Sequence, residues 1–218
     1  MRKKLSAYKH VLIIPIYGLL YLICFASVEK SIRNDYTILH TKIDEMIPFC
    51  EYFAVFYYIW FLYMAVTIMV ITLTDKDDFY KTAVFLMVGM TLFIIISAIF
   101  PNGQNLRPTE FARDNFFTDL VKHMYSIDTP TNILPSIHVY NSIGCHLGLS
   151  NCKNTKNKRW VLVVSFIMCV AIIMSTMLIK QHSTLDVFCS FVLAIVVYPL
   201  SYRIDWINLV EKIKVRFA

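Results

Sequence analysis

His182 and Asp186, in His182-Ser183-Thr184-Leu185-Asp186, stand four residues apart and so share one face of a helix. An aspartate that accepts from one imidazole nitrogen selects the tautomer and leaves the other nitrogen with a free lone pair. It also stabilises the positive charge that develops when that nitrogen attacks. This is the chemistry of a histidine nucleophile, although an isolated His-x-x-x-Asp is more commonly a polar pair satisfying itself inside a bundle. Pro135-Ser136-Ile137-His138 is a second candidate. The proline ends the incoming loop, Ser136 can cap the helix after it, and the free amides of that first turn form a ready anion site. His138 in the same turn can protonate a leaving oxygen. Arg107, followed by Pro108, offers a planar guanidinium able to clamp two phosphate oxygens. Lys180 ends an apolar run two residues before His182 and can reach the same place.

The elements that must position these residues are membrane helices. Of 218 residues, 57% are apolar and 17% charged, and a mean hydropathy of +0.57 is more than a water-facing surface tolerates. Runs at about 10–28, 52–73, 82–100, 160–179 and 184–202 are long and apolar enough to cross a hydrocarbon core, with a shorter, more polar sixth at 136–150. In that sixth span Gly144 and Gly148 have the spacing that lets a neighbouring helix approach closely. Threading six spans with both termini in the cytoplasm collects most basic residues there, including Arg2, Lys3, Lys4, Lys76, Lys81 and the cluster from Lys153 to Arg159. Lys30, Arg33, Lys42, Arg107, Arg113, Lys122 and Lys180 are left on the opposite face, as the positive-inside bias requires. Arg107, Ser136, His138, Lys180 and His182 then meet on the extracytoplasmic side.

Between the first two spans, Leu39, Ile43, Met46 and Ile47 recur at helical spacing and predict an interfacial helix on the outer leaflet. The segment 101–135 is long for a connector and reads as a functional loop. Without a linker, repeat or low-complexity run, residues 1–218 read as one domain, an all-α integral membrane bundle of six helices with an outer interfacial helix. The six cysteines have no metal spacing, and the basic residues lie in short loops rather than in an aromatic-interleaved patch. Nucleic acid is therefore not the expected partner, and the outer carboxylates match no metal site.

As a set, Arg107-Pro108, then Pro135-Ser136-Ile137-His138, then Ser175 with His182 and Asp186 resemble the three signature motifs of the type 2 phosphatidic acid phosphatase superfamily. The resemblance covers about residues 100–187. It implies a six-helix membrane enzyme that needs no metal or cofactor and forms a phosphohistidine on a lipid phosphate. Carried over by position, His182 is the nucleophile, Asp186 its partner and His138 the general acid. Arg107, Ser136 and Ser175 are phosphate-binding. A membrane lipid phosphatase in the plasma membrane is the implied activity. Transfer of a lipid headgroup by the same histidine is the alternative, and a non-enzymatic transporter or scaffold a distant one.

Two positions depart from the pattern: Phe100 stands where the first motif has lysine, and Thr176 where the third has arginine. Lys180, four residues after Thr176 and on nearly the same helix face, is expected to supply the missing phosphate-binding charge. With Asp128-Thr129-Pro130 and Asn132 leading into the second motif, the chain looks like the branch related to inositol-phosphorylceramide and sphingomyelin synthases. Asp128 and Asn132 thereby become candidate supporting residues.

Overall fold

The computed structural model describes residues 9–30 and 36–216. Arg2, Lys3, Lys4 and Arg33, which count toward the expected charge bias, lie outside the described residues. A 3-10 turn, Lys9–Leu12, leads into α1 (Ile13–Lys30), and a short outer segment carries α2 (Lys42–Met46) and a second 3-10 turn, Glu51–Phe53. Then come α3 (Ala54–Thr72), α4 (Lys76–Ile99), α5 (Phe116–Ile127), α6 (Ile137–Asn151), α7 (Arg159–Leu178), α8 (Thr184–Tyr202) and α9 (Trp206–Arg216). Two two-residue strands, β1 (Thr37–Ile38) and β2 (Asn102–Gly103), pair in parallel outside the helices. The chain is thus mostly helical.

Among the described residues, five helices are long and apolar enough to cross a membrane: His10–Lys30, Glu51–Thr72, Lys76–Ile99, Arg159–Leu178 and Thr184–Tyr202. α6, the expected sixth, has only 15 residues, short of the roughly 20 that a hydrocarbon core requires. It is nevertheless the centre of the bundle, packed against α3, α4, α7 and α8, with Tyr140, Asn141, Ser142 and Cys145 buried. Its glycines explain the close approach of α4 at Gly144 and of α3 at Gly148. A Cβ on Gly144 would lie 2.7 Å from Leu86 Cδ2, and one on Gly148 would lie 2.8 Å from Ile71 Cδ1. In the other direction, Gly89 of α4 makes room for the Tyr140 ring, which stacks on Phe85 at 4.7 Å and donates to Phe85 O (2.8 Å). α1 is the outlier. None of its residues is buried, and it leans on α4 through Tyr17, which donates to Met87 O (2.9 Å).

The outer segments depart from expectation. The helix predicted around Leu39 to Ile47 is a single turn, α2, in which Ile43 and Met46 are exposed while Leu39 is buried. A longer amphipathic helix, α5, forms instead within the stretch read as a loop. Asn115 caps it by accepting from Phe117 N (2.9 Å) and Thr118 N (3.0 Å), and Thr118, Val121 and Met124 turn inward. The signal was a three-to-four-residue apolar spacing over only three turns, which adjacent charges obscured.

Candidate active site

The C-terminal cap of α7 dictates the backbone path into His182. Lys180 N bonds to Met177 O (3.0 Å) and Gln181 N to Thr176 O (2.9 Å), the paired bonds of a Schellman cap. That cap needs a left-handed residue, and Lys180 takes it at φ 54°, a conformation that costs a side-chain-bearing residue roughly 1–2 kcal/mol. The same Thr176 carbonyl also accepts from His182 N (3.0 Å). Where the resemblance has an arginine, Thr176 contributes its backbone, and its hydroxyl is turned back to Ile173 O (2.8 Å).

Directly after this cap, Ser183 starts α8. Its hydroxyl accepts from Leu185 N (3.2 Å), and Asp186, at the third helical position, accepts from Ser183 N (2.9 Å). The same oxygen, Asp186 Oδ2, lies 3.2 Å from His182 Nδ1. Asp186 is fully buried and His182 nearly so. The His–Asp contact is present although His182 precedes the Ser183 cap and is not on α8 itself: one carboxylate both caps the helix and orients the imidazole through Nδ1, leaving Nε2 free of it.

His138 lies in the first turn of α6, held between the rings of Tyr57 (4.3 Å) and Trp60 (4.4 Å) from α3. Its centroid is 5.8 Å from that of His182, so the start of α6 and the turn leading into α8 bring the two histidines together. Ser136 caps α6, its hydroxyl accepting from Val139 N at 3.4 Å, and its carbonyl accepts from Ser190 Oγ of α8 (3.0 Å). Both histidines line a small cleft together with Asp128, Asn132, Gln181, Ile133, Ile137 and, from the apolar helices, Phe25 and Phe93.

Arg107 arrives from the loop between α4 and α5. It donates to Tyr125 O (3.2 Å), Asp128 O (2.5 Å) and the side-chain oxygen of Gln181 (2.6 Å), and its guanidinium lies over the Tyr125 ring at 4.2 Å. Burial lowers its proton affinity, which Tyr125 and Asp128 oppose, and guanidinium remains charged at any physiological pH. Arg107 Nε is buried without a partner. Asp128 accepts from the Tyr57 hydroxyl, so the arginine loop and the aromatic wall around His138 are one network. Asn132, at φ 52°, donates to Glu29 Oε2 (2.9 Å) at the end of α1.

Two expected phosphate ligands point elsewhere. Lys180 Nζ donates to the carbonyls of Asp44 (2.7 Å) and Ile47 (2.5 Å), because the left-handed backbone aims the side chain at α2 and not back along the face of Thr176. The buried Ser175 hydroxyl is folded onto Ile172 O (2.7 Å) within α7. Neither residue lines the cleft; Arg107 and Ser136 do not line it either, but each adjoins it, Arg107 through Gln181 and Ser136 one residue before Ile137. Phe100 is the half-exposed C-terminal cap of α4.

Sequence reasoning missed Gln181, Tyr57, Trp60 and Asp44. Tyr57 and Trp60 are three apart on one helix face, but in a long apolar aromatic run that spacing is indistinguishable from lipid-facing filler. Gln181 and Asp44 acquire their roles only from partners 74 and 139 residues distant. Among the described residues, the one carboxylate group close enough to share a cation is Asp75, Asp77 and Asp78. It lies at the other end of α4, where Asp75 caps the helix and pairs with Lys153 (2.9 Å) and Asp77 pairs with Lys81 (2.6 Å).

The family profile described as PAP2 superfamily matches residues 82–209, a span containing Arg107, Ser136, His138, His182 and Asp186. Comparison with curated proteins and with solved structures gave no match.

Proposed function

This chain belongs to the PAP2 superfamily, whose members are phosphatases or phosphotransferases, and on that premise we propose that it is a membrane lipid phosphatase using His182 as nucleophile. The observation that carries the proposal is the arrangement at one cleft: His182 held through Nδ1 by Asp186, with His138 facing it at 5.8 Å. His182 Nε2 attacks phosphorus, the bond from phosphorus to the lipid oxygen breaks, and His138 delivers its proton to that oxygen. The product is a phosphohistidine. His138 then removes a proton from water, the water oxygen attacks phosphorus, and the N–P bond breaks to return neutral His182 and release phosphate. The amides at the start of α6, Ser136 and Arg107 Nε are donors suited to the equatorial oxygens.

The substrate is a lipid phosphate or diphosphate monoester, and Phe25 and Phe93 on the wall of the cleft suit an acyl or prenyl chain entering from the bilayer. We read α6 as the sixth span and the site as extracytoplasmic, with both termini cytoplasmic in the plasma membrane. The basic residues Lys76, Lys81, Lys153, Lys156, Lys158 and Arg159 at the far end of the helices support that orientation. The apolar wall also supports a second reading, transfer of the phosphoryl or headgroup to a lipid alcohol, which accords with the synthase-like branch suggested by Asp128 and Asn132.

The test is purified protein in detergent supplied with phosphatidic acid, phosphatidylglycerol phosphate and polyprenyl diphosphate. Phosphate release is followed colorimetrically and headgroup transfer by mass spectrometry. The wild type turns over at least one of them, and His182→Ala does not. A fully active His182→Ala protein overturns the mechanism. Neither release nor transfer from any substrate overturns the enzyme and leaves a transporter or scaffold.

A further inference from the structure

We infer that Asp44, on the single-turn outer helix α2, is a positioning residue for His182, gripping the chain on both sides of the nucleophile. The inference rests on His182 as the reacting group. The Asp44 carboxylate accepts from Thr41 N (2.8 Å), Thr41 Oγ1 (2.9 Å), Ser183 Oγ (2.7 Å) and Thr184 N (2.7 Å). Three of these bonds fall on Oδ2 and one on Oδ1, and the residue is buried. Its own backbone carbonyl, with that of Ile47, holds the Lys180 ammonium. Residues 180, 183 and 184 are thereby tied to α2, and His182 lies between them.

Ser183 carries the consequence for chemistry. Its backbone N–H and the His182 ring share Asp186 Oδ2, so a shift of Ser183 relative to α8 misaligns the imidazole and its carboxylate together. Misplacement of a reacting group by about 1 Å can cost on the order of a hundredfold in rate. Asp44 touches no reacting atom and acts only through this placement. Lys180 belongs to the same clamp. Its ammonium stabilises α2 and compensates for the left-handed backbone that the α7 cap demands, which leaves Arg107, bonded to the cleft-lining Gln181, as the cation for phosphate.

The distance between Thr41 Oγ1 and Thr184 Oγ1, 2.7 Å, supplies a way to restore the grip covalently. In the full chain, Asp44→Asn is expected to lower kcat on phosphatidic acid about tenfold or more with KM within about twofold. A Thr41→Cys/Thr184→Cys pair in the Asp44→Asn background, oxidised to the disulfide, restores most of that kcat, and reductant removes the gain. Wild-type kcat in Asp44→Asn, or no rescue by the crosslink, overturns the proposal. The crosslink is also measured in the otherwise wild-type protein, by the mass of the joined peptides, and its absence overturns the clamp even if Asp44→Asn fails to fold. That measurement needs no activity. A chain that crosslinks but releases no phosphate refutes the enzymatic reading and leaves the clamp standing.

Discussion

Arg107 donates to the side-chain oxygen of Gln181 at 2.6 Å, so the residue immediately before His182, the proposed nucleophile, is the side chain on which the guanidinium is anchored. Its other hydrogen-bond acceptors among the described residues are the backbone carbonyls of Tyr125 and Asp128. This links the loop that carries Arg107 to the chain just before His182 and ties the arginine to a residue that lines the cleft.

Removing that anchor tests the link. Hydrogen bonds to a charged group contribute about 1.5–3 kcal/mol, so Gln181→Ala is expected to lower kcat/KM by roughly ten- to a hundredfold. Gln181→Glu, which keeps the acceptor, loses less. Steady-state kinetics in detergent measure both, and an unchanged kcat/KM in Gln181→Ala would detach Arg107 from the site.

The two histidines have separable signatures. His138→Gln is expected to lose about 10²–10⁴ in kcat on an alkyl lipid phosphate, the usual worth of a positioned acid–base group. It loses much less on a lipid analogue with an aryl leaving group, which departs without protonation. Asp186→Asn retains an acceptor for Ser183 N but presents a donor to His182 Nδ1, and turnover falls on both substrates. Equal losses of His138→Gln on the two would refute its role as the acid.

Packing between α4 and α6 sets where His138 stands. A Cβ on Gly89 would lie 1.9 Å from Tyr140 Cε1, in a ring already stacked on Phe85, and such overpacking costs about 1–3 kcal/mol or more. Gly89→Ala is therefore expected to unfold at lower temperature in detergent and to lose activity. Gly18→Ala, with nothing within 4 Å, is neutral or slightly stabilising. Equal thermal stabilities would mean that α4 and α6 do not pack this closely.

The Asp44 clamp predicts a pH dependence. Burial alone would raise the Asp44 pKa, but the donors from Thr184, Ser183 and Thr41 outweigh it and hold the group below its ordinary value of 3.8. A carboxyl whose folded value is depressed contributes stability that is present above the unfolded value and lost as pH falls through the folded one. Wild type is therefore expected to be more thermostable than Asp44→Asn at neutral pH, and the two curves converge below pH 3.8. Parallel curves across that range would exclude a charged Asp44 as the source of the difference.

The sequence alone was enough for the class of molecule and the pair at its centre. Composition and run length establish apolar helices because a bilayer admits few alternatives. His182 and Asp186 are legible because they lie four residues apart across one helix start, a local feature even though His182 precedes the Ser183 cap, and Ser136 and His138 because a proline and a capping serine announce a helix start. Tertiary structure decided everything that depends on partners far apart in the chain. Lys180 looks like a phosphate ligand by helical spacing, but spacing holds only while the helix continues. The left-handed cap at φ 54° swings its ammonium to α2. Gln181, Asp44 and the Tyr57–Trp60 wall carry no local signal, because hydrogen bonding and ring packing between distant parts of the chain are fixed by how the helices meet. His182 is read from its neighbours in sequence, and what holds it in place is read only from its neighbours in space.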